Sequence, residues 1–238
     1  MPQFSGSVAF QDSVANVPLV YEHNYTPAWM MKSPIPLILH QLWKSHEIPS
    51  FLAPTIASWR AVNPNLQHIL WTDSDVERFV KKFYPKRVYD ALQSVKISQP
   101  EWQRGAKFAD LARVLILYKM GGIYADIDYA ANKSLESVLS QGHYGVLTRE
   151  PEIFAIYLWD NKNLLLLNTA FMMFAPKHDF LRGYIEDILS RHPSKEALLS
   201  YAGPLAATRF LRRYMDQRRL DLREIMPSTS HRHHNFIR

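Results

Sequence analysis

KFADLARVLILYKMGGIYADIDY, residues 107–129, is the stretch whose reading decides the fold. Phe108, Leu111, Leu115 and Tyr118 recur at helical spacing, so its first part is a helix with a buried face. Asp110 and Arg113 sit three residues apart and share a face of that helix. Gly121-Gly122 end it, because glycine takes the left-handed cap conformation without a Cβ clash. Ile123, Ala125, Ile127 and Tyr129 then alternate with Tyr124, Asp126 and Asp128, the period of a strand. On that spacing both aspartates project from one side of the strand, near its end. Two carboxylates so placed repel each other unless a cation lies between them. Hard oxygen ligands of this kind favour Mg²⁺ or Mn²⁺.

Upstream, IPLILHQLW (35–43) is a short apolar run entered through proline, a buried strand that opens the domain. A helix is expected from about Ser50 to Val62, then a second buried strand in HILWTD, residues 68–73. Ser74-Asp75-Val76-Glu77 reads as a capping box starting a helix that runs to about Phe83. Two strand–helix units before the central helix imply an α/β fold with a mostly parallel, doubly wound sheet flanked by helices. Ligands of such sheets bind beyond the carboxyl ends of the strands. Those ends carry Gln41 and Trp43, then Asp73, then Asp126 with Asp128. Downstream, a short helix is expected at Leu135–Leu139, a strand at Tyr144–Leu147, and two apolar segments around Asn168 in LLLLNTAFMMFAP, residues 164–176. A helix from Leu181 to Ser190 follows. Residues 1–33 read as an extended N-terminal arm, and 34–238 as a single domain.

The central motif resembles glycosyltransferase family 32, the Asp-x-Asp family of initiating mannosyltransferases, inositolphosphoceramide mannosyltransferases and α1,4-galactosyltransferases. Asp110, Arg113, Leu117, Tyr118, Gly121, Gly122, Tyr124, Asp126 and Asp128 match its core pattern. Ile35, Pro36, Leu39, His40, Gln41 and Trp43 match its opening, with Leu39 in place of isoleucine. Leu70-Trp71-Thr72-Asp73, Asn168 with Ala170, and Pro176-Lys177-His178 with Phe180 match further segments; Asp179 stands where proline is common. Gly203-Pro204 matches a Thr-Gly-Pro whose threonine is here Ala202, so no hydroxyl contact is expected there.

The resemblance implies a GT-A-like fold and retaining transfer of a hexose from a nucleotide sugar, GDP-mannose or a UDP-sugar, to a hydroxyl of a glycan, lipid or protein. Asp126 and Asp128 would hold Mn²⁺ or Mg²⁺, while Asp110 and Arg113 would hold the donor sugar. His40, Gln41, Trp43, Trp71, Asp73, Gly122, Tyr124, Asn168, Gly203 and Pro204 are the expected substrate-binding set. Trp43 alone is equally a core residue, and Asn168 equally a structural asparagine. Glu150 is the remaining acidic candidate near the acceptor. Related enzymes supply a histidine near the C-terminus to the metal or diphosphate; His231, His233 and His234 are candidates, with His233 taken as the metal candidate, while three histidines in a basic tail more often form a solvated end.

Composition sets the bounds. A chain of 238 residues with 47% hydrophobic and 21% charged residues can bury a substantial core. Zero cysteines exclude disulfides, thiolate metal sites and cysteine nucleophiles. The formal charge of +6 could attract phosphates or nucleic acid. Much of it lies in Arg209, Arg212, Arg213, Arg218 and Arg219, read as a solvated helical face, and no nucleic-acid motif accompanies it. No run reaches the ~18 apolar residues of a membrane span, so no transmembrane segment is expected. The family resemblance points to the Golgi lumen or a membrane surface, and the missing signal and anchor to the cytoplasm as the alternative. A nucleotide-sugar- or carbohydrate-binding protein without turnover is the second functional reading.

Overall fold

The computed structural model describes residues 7–9, 33–98, 100–151, 153–154, 165–219 and 236–237. Its framework is a six-stranded mixed sheet between two helical layers. In chain order the elements are β1 (Ser7–Ala9), β2 (Ile38–Leu42), β3 (Glu47–Pro49), α1 (Ala53–Val62), β4 (Gln67–Trp71), α2 (Asp73–Phe83), α3 (Lys86–Ser98) and α4 (Glu101–Met120). Then come β5 (Gly122–Ala125), α5 (Glu136–Leu139), β6 (Gly145–Arg149), β7 (Leu167–Phe174), α6 (Asp179–Leu189), α7 (Leu198–Tyr201), α8 (Pro204–Arg218) and β8 (Phe236–Ile237). The sheet runs β4-β2-β5-β7-β6-β8. β4, β2 and β5 are parallel, as the strand–helix alternation predicts, whereas β7, β6 and β8 join antiparallel. Of the N-terminal arm, Ser7–Ala9 pairs with β3, and the rest of residues 1–32 lies outside the described residues.

The strands are apolar at both parities because both faces are covered. Ile38, Leu42, Ile69, Trp71, Tyr124, Met172 and Phe174 pack with α2–α4 and α6–α8. Leu39, Ile123, Ala125, Val146 and Met173 pack on the other side with Trp59 of α1 and Leu139 of α5. Helix α4 begins before Lys107, where Arg104, Gly105 and Ala106 are exposed, and is enclosed on all sides further on: Leu111, Ala112, Val114, Leu115, Ile116 and Leu117 are fully buried. No helix among the described residues is long and apolar enough to cross a membrane.

Two local signals fall at other places than the spacing suggests. Helix α2 starts at Asp73, and its capping box is Thr72 with Asp75, not Ser74 with Glu77. Thr72 leaves the strand with extended backbone, so its hydroxyl meets the Asp75 N–H while the Asp75 carboxylate accepts the Thr72 N–H. The strand after the glycines ends at Ala125, so the aspartates follow the strand instead of alternating along it.

The α4–β5 junction depends on glycine. Gly121 and Gly122 have φ of 67° and 101°. A Cβ on Gly122 would lie 2.6 Å from the Ile38 carbonyl oxygen and 3.0 Å from His40 Nε2. His40 is fully buried there; its Nε2–H donates to Gly121 O at 3.0 Å and its Nδ1 accepts Trp71 Nε1–H at 3.1 Å. That pairing fixes the neutral tautomer, and burial lowers the His40 pKa to about 4.

Gly122→Ala is expected to cost roughly 2–4 kcal/mol, combining backbone strain with an overpacked contact. Denaturant unfolding measures it, and wild-type stability in the variant would refute the close approach of β5 to β2. His40 has a second consequence. Its folded pKa lies below the unfolded 6.5, so its contribution is present above pH 6.5 and lost as pH falls towards about 4. A pH series of unfolding free energies should show His40→Gln with a shallower loss across that window.

Candidate active site

Lys107, Asp110 and Arg113 form one charged stripe on the otherwise apolar 107–117 part of α4, and all three are buried. Each must therefore find partners inside the protein. Lys107 Nζ donates to the carbonyls of Pro193 and Glu196 at 2.8 and 2.7 Å. Arg113 is the hub. Its Nη2 lies 3.2 Å from Asp110 Oδ1 and 3.2 Å from Asp126 Oδ1. Its Nη1 donates to Thr169 O at 2.7 Å, its Nε to Ala109 O at 3.2 Å, and its guanidinium covers the Tyr124 ring at 4.7 Å. Tyr124 in turn donates its hydroxyl to Asp126 Oδ1 at 2.7 Å. The helix carboxylate and the first aspartate of the Asp-x-Asp pair thus share one cation, although the sequence spacing suggests separate positions. Burial pushes the Asp110 carboxyl up to about 6 against the opposing pull of Arg113, and Asp126 adds to the rise.

Asp126 opens a turn closed by Tyr129 N–H to Asp126 O at 2.9 Å, with Ile127 and Asp128 at its corner. Across from it, β7 is irregular. The pairing with β6 jumps from Leu147–Met172 to Thr148–Asn168, leaving Thr169, Ala170 and Phe171 out of that ladder. The freed Thr169 O takes Arg113, while Ala170 O, on the β5 side, takes Asp126 N–H at 2.8 Å and continues the β5–β7 register by one step. Gln41, fully buried at the end of β2, donates Nε2–H to Asp126 O at 3.2 Å, while its Oε1 has no protein partner. The ion pair and the hydrogen bond of Asp126 both fall on Oδ1, and Asp128 is exposed beside it. This donor set fits a hard divalent ion, which takes one or two carboxylates and completes its shell with phosphate and water.

The remaining expected site residues divide by burial. His40 and Trp71 lie in the core and satisfy each other. Trp43 is half-buried against the cluster of Ile48, Leu52, Ile56, Leu70 and Ile127, its Nε1–H donating to Glu47 O at 3.1 Å. Asp73 is the first residue of α2 and half-buried, which raises its pKa. Asn168 Oδ1 accepts Ala170 N–H at 2.7 Å and so braces the β7 irregularity. Glu150, just past β6, has a raised pKa from burial and from Asp126 nearby. Gly203 caps α8 ahead of Pro204, and a Cβ there would lie 2.7 Å from Asp110 Oδ2. His233 lies outside the described residues. Sequence reasoning misses Lys107, Thr169 and Tyr184; the Tyr184 hydroxyl donates to Ala202 O at 2.7 Å and holds the Gly203 corner beside Asp110. Only the i, i+3 spacing of Lys107 from Asp110 signals any of them.

The fold is that of a glycosyltransferase: the PaToxG glycosyltransferase superposes with a TM-score of 0.55 over 79% of this chain and 74% of that one, at 16% identity. Residues 49–144 match the family model of the glycosyltransferase sugar-binding region containing the DXD motif. The matched segment contains the Asp-x-Asp pair and the helix before it, where the motifs resembling family 32 lie. Inositol phosphoceramide mannosyltransferase 3 of Schizosaccharomyces pombe is 31% identical over 60% of this chain and 36% of its own length. Inositol phosphoceramide mannosyltransferase 1 of that organism is 35% identical over 49% and 35%. Lactosylceramide 4-alpha-galactosyltransferase of Rattus norvegicus is 27% identical over 44% and 24%. The matched part spans about a third of the length of the two mannosyltransferases.

Removing Arg113 leaves buried Asp110 and half-buried Asp126 facing the same point without a cation. Arg113→Met is expected to cost about 3–5 kcal/mol, the scale for breaking a buried ion pair. Adding Asp110→Asn should recover part of that loss, because one uncompensated charge goes with it. A double-mutant cycle in denaturant checks this, and strictly additive losses would mean that the two residues do not interact.

Proposed function

We propose that the protein is a retaining hexosyltransferase that moves a sugar from a nucleotide donor, GDP-mannose or a UDP-hexose, to a hydroxyl of a glycan, lipid headgroup or protein. The observation that carries this reading is the Asp110–Arg113–Asp126 network at the carboxyl ends of the parallel strands, with exposed Asp128 beside it. Its support is the match of residues 49–144 to the sugar-binding region. Relatives named as inositol phosphoceramide mannosyl- and lactosylceramide galactosyltransferases favour a hexose donor and a polyol headgroup acceptor.

The roles follow from burial and charge. Asp126 Oδ2 and Asp128 would hold Mn²⁺ or Mg²⁺, which neutralises the charge developing on a leaving diphosphate. Arg113 is spent on protein atoms, so it acts by orienting Asp110 and Asp126. Asp110 accepts sugar hydroxyls through Oδ2, beside the bare backbone of Gly203. Trp43 and Asp73 border the donor base and ribose, while His40, Trp71, Gly122 and Tyr124 set the positions of the strand ends. In the transfer the C1–O bond to phosphate breaks and a C1–O bond to the acceptor forms on the same face. The acceptor proton passes to the leaving phosphate oxygen. Glu150 lies on the acceptor side, with Asn168 bracing the strand behind it.

The test is release of nucleoside diphosphate from a panel of nucleotide sugars with Mn²⁺. One donor should stand out, and Asp128→Asn should lower its turnover at least ~100-fold. Calorimetry of free GDP and UDP with Mn²⁺ should show the same variant losing metal-dependent affinity. Donor binding without any diphosphate release would instead identify a binding protein of this fold, and unchanged turnover in Asp128→Asn with EDTA present would remove the metal from the reading.

A further inference from the structure

Just past the Asp-x-Asp turn, three rings form a continuous stack. Trp59 of α1 lies against Phe171 with centroids 6.0 Å apart and planes at 18°. Phe171 lies against Tyr129 at 5.6 Å and 11°. The stack begins in the core, where Trp59 is 2% exposed, and ends at Tyr129, which is 37% exposed although Phe171 covers one of its faces. Part of Tyr129 thus stays open beyond the stack.

Two further features tie this ring to the reaction centre. Tyr129 N–H closes the turn on Asp126, and Trp59 Nε1–H clamps the Tyr129 carbonyl at 2.6 Å. The position of the exposed ring is thus set by the same turn that presents Asp128. Glu150 is close enough to raise the pKa of the Tyr129 phenol, after burial, and is itself raised by Asp126. A half-buried carboxylate therefore lies within electrostatic reach of a partly open aromatic residue.

We infer that Tyr129, backed by Phe171 and Trp59, is the stacking platform of an acceptor subsite for a ring polyol, either a pyranose or a cyclitol, with Glu150 accepting its hydroxyls. A ring polyol presents one face of C–H groups and an edge of hydroxyls, and the pair matches both: the face on the aromatic ring and the edge on the carboxylate. The stack of three near-parallel rings makes the platform rigid, so little side-chain entropy is lost when the acceptor docks. The inference rests on the transferase reading for the meaning of the subsite, but the binding itself is measurable without turnover.

The experiment titrates lactose and myo-inositol separately against the full chain by saturation-transfer NMR, with UDP or GDP and Mn²⁺ present. One probe should bind, and which of the two binds distinguishes the pyranose from the cyclitol. Tyr129→Ala should weaken that probe roughly tenfold or more, the scale of one lost stacking ring. Tyr129→Trp should restore most of it, and Glu150→Gln should weaken it independently. GDP or UDP affinity with Mn²⁺, measured by calorimetry on each variant, should stay at the wild-type value. The inference is overturned if neither probe binds the wild type. Equal losses in Tyr129→Ala and Tyr129→Trp, or a matching loss of diphosphate affinity, also overturn it, because Tyr129 would then only support the turn. Absence of donor cleavage by the wild type, with probe binding still dependent on Tyr129, would sink the transferase reading and leave the subsite standing.

Discussion

A buried arginine that must be neutralised is the constraint on which the rest of this structure depends. Arg113 sits in the middle of a helix that the core encloses on every side, so water cannot solvate its charge. Asp110 one turn earlier supplies one counter-charge, Asp126 supplies another, and the Thr169 carbonyl takes a remaining donor. These partners come from three elements: α4, the end of β5 and the start of β7. Satisfying one cation therefore fixes where two strands end relative to one helix. Lys107 repeats the device one turn away, tying α4 to the 193–196 segment that leads to Gly203.

The same requirement explains the irregular backbone. A regular β7 would direct its carbonyls into ladders on both sides. Because Thr169 to Phe171 step out of the β6 ladder, Thr169 O is available to Arg113, while on the β5 side Ala170 O still takes Asp126 N–H. Asn168 holds this departure by accepting the Ala170 N–H. On the opposite flank, Gly121 and Gly122 admit β5 so close to β2 that His40 can reach the Gly121 carbonyl. The aspartates are thus held between two places where the sheet departs from regular geometry.

These features account for what was legible in the chain. Covered strands read as continuous apolar runs, so IPLILHQLW and HILWTD disclosed β2 and β4, and a helical period followed by Gly-Gly disclosed α4 and its stop. The antiparallel half has no such alternation with helices, and only the ladders reveal its direction. Alternation of Asp126 and Asp128 looked like a continuing strand, yet the strand ends at Ala125, since Asp126 O is taken by the Tyr129 turn instead of by β7. Motif residues also look alike in sequence whether they face ligand or core. His40 and Trp71 satisfy each other in the interior, while Trp43 and Asp73 remain half-buried at the strand ends. Thr169 and Tyr184 act through backbone contacts that no local pattern encodes.

The two halves of the sheet then carry different burdens. The parallel half supplies the strand ends that the fold offers to a ligand, and its residues there are locked by buried hydrogen bonds. The antiparallel half approaches the same point from the other side with groups that stay partly open, Phe171 and Glu150 among them. A two-substrate transfer needs that asymmetry. The donor must be held where charge is already compensated, and the acceptor must enter from a surface still accessible when the donor is in place. Asp126 belongs to both halves, through Gln41 and Arg113 on one side and Ala170 on the other. A carboxylate fixed by both halves at once would keep its position as either substrate of the proposed transfer binds.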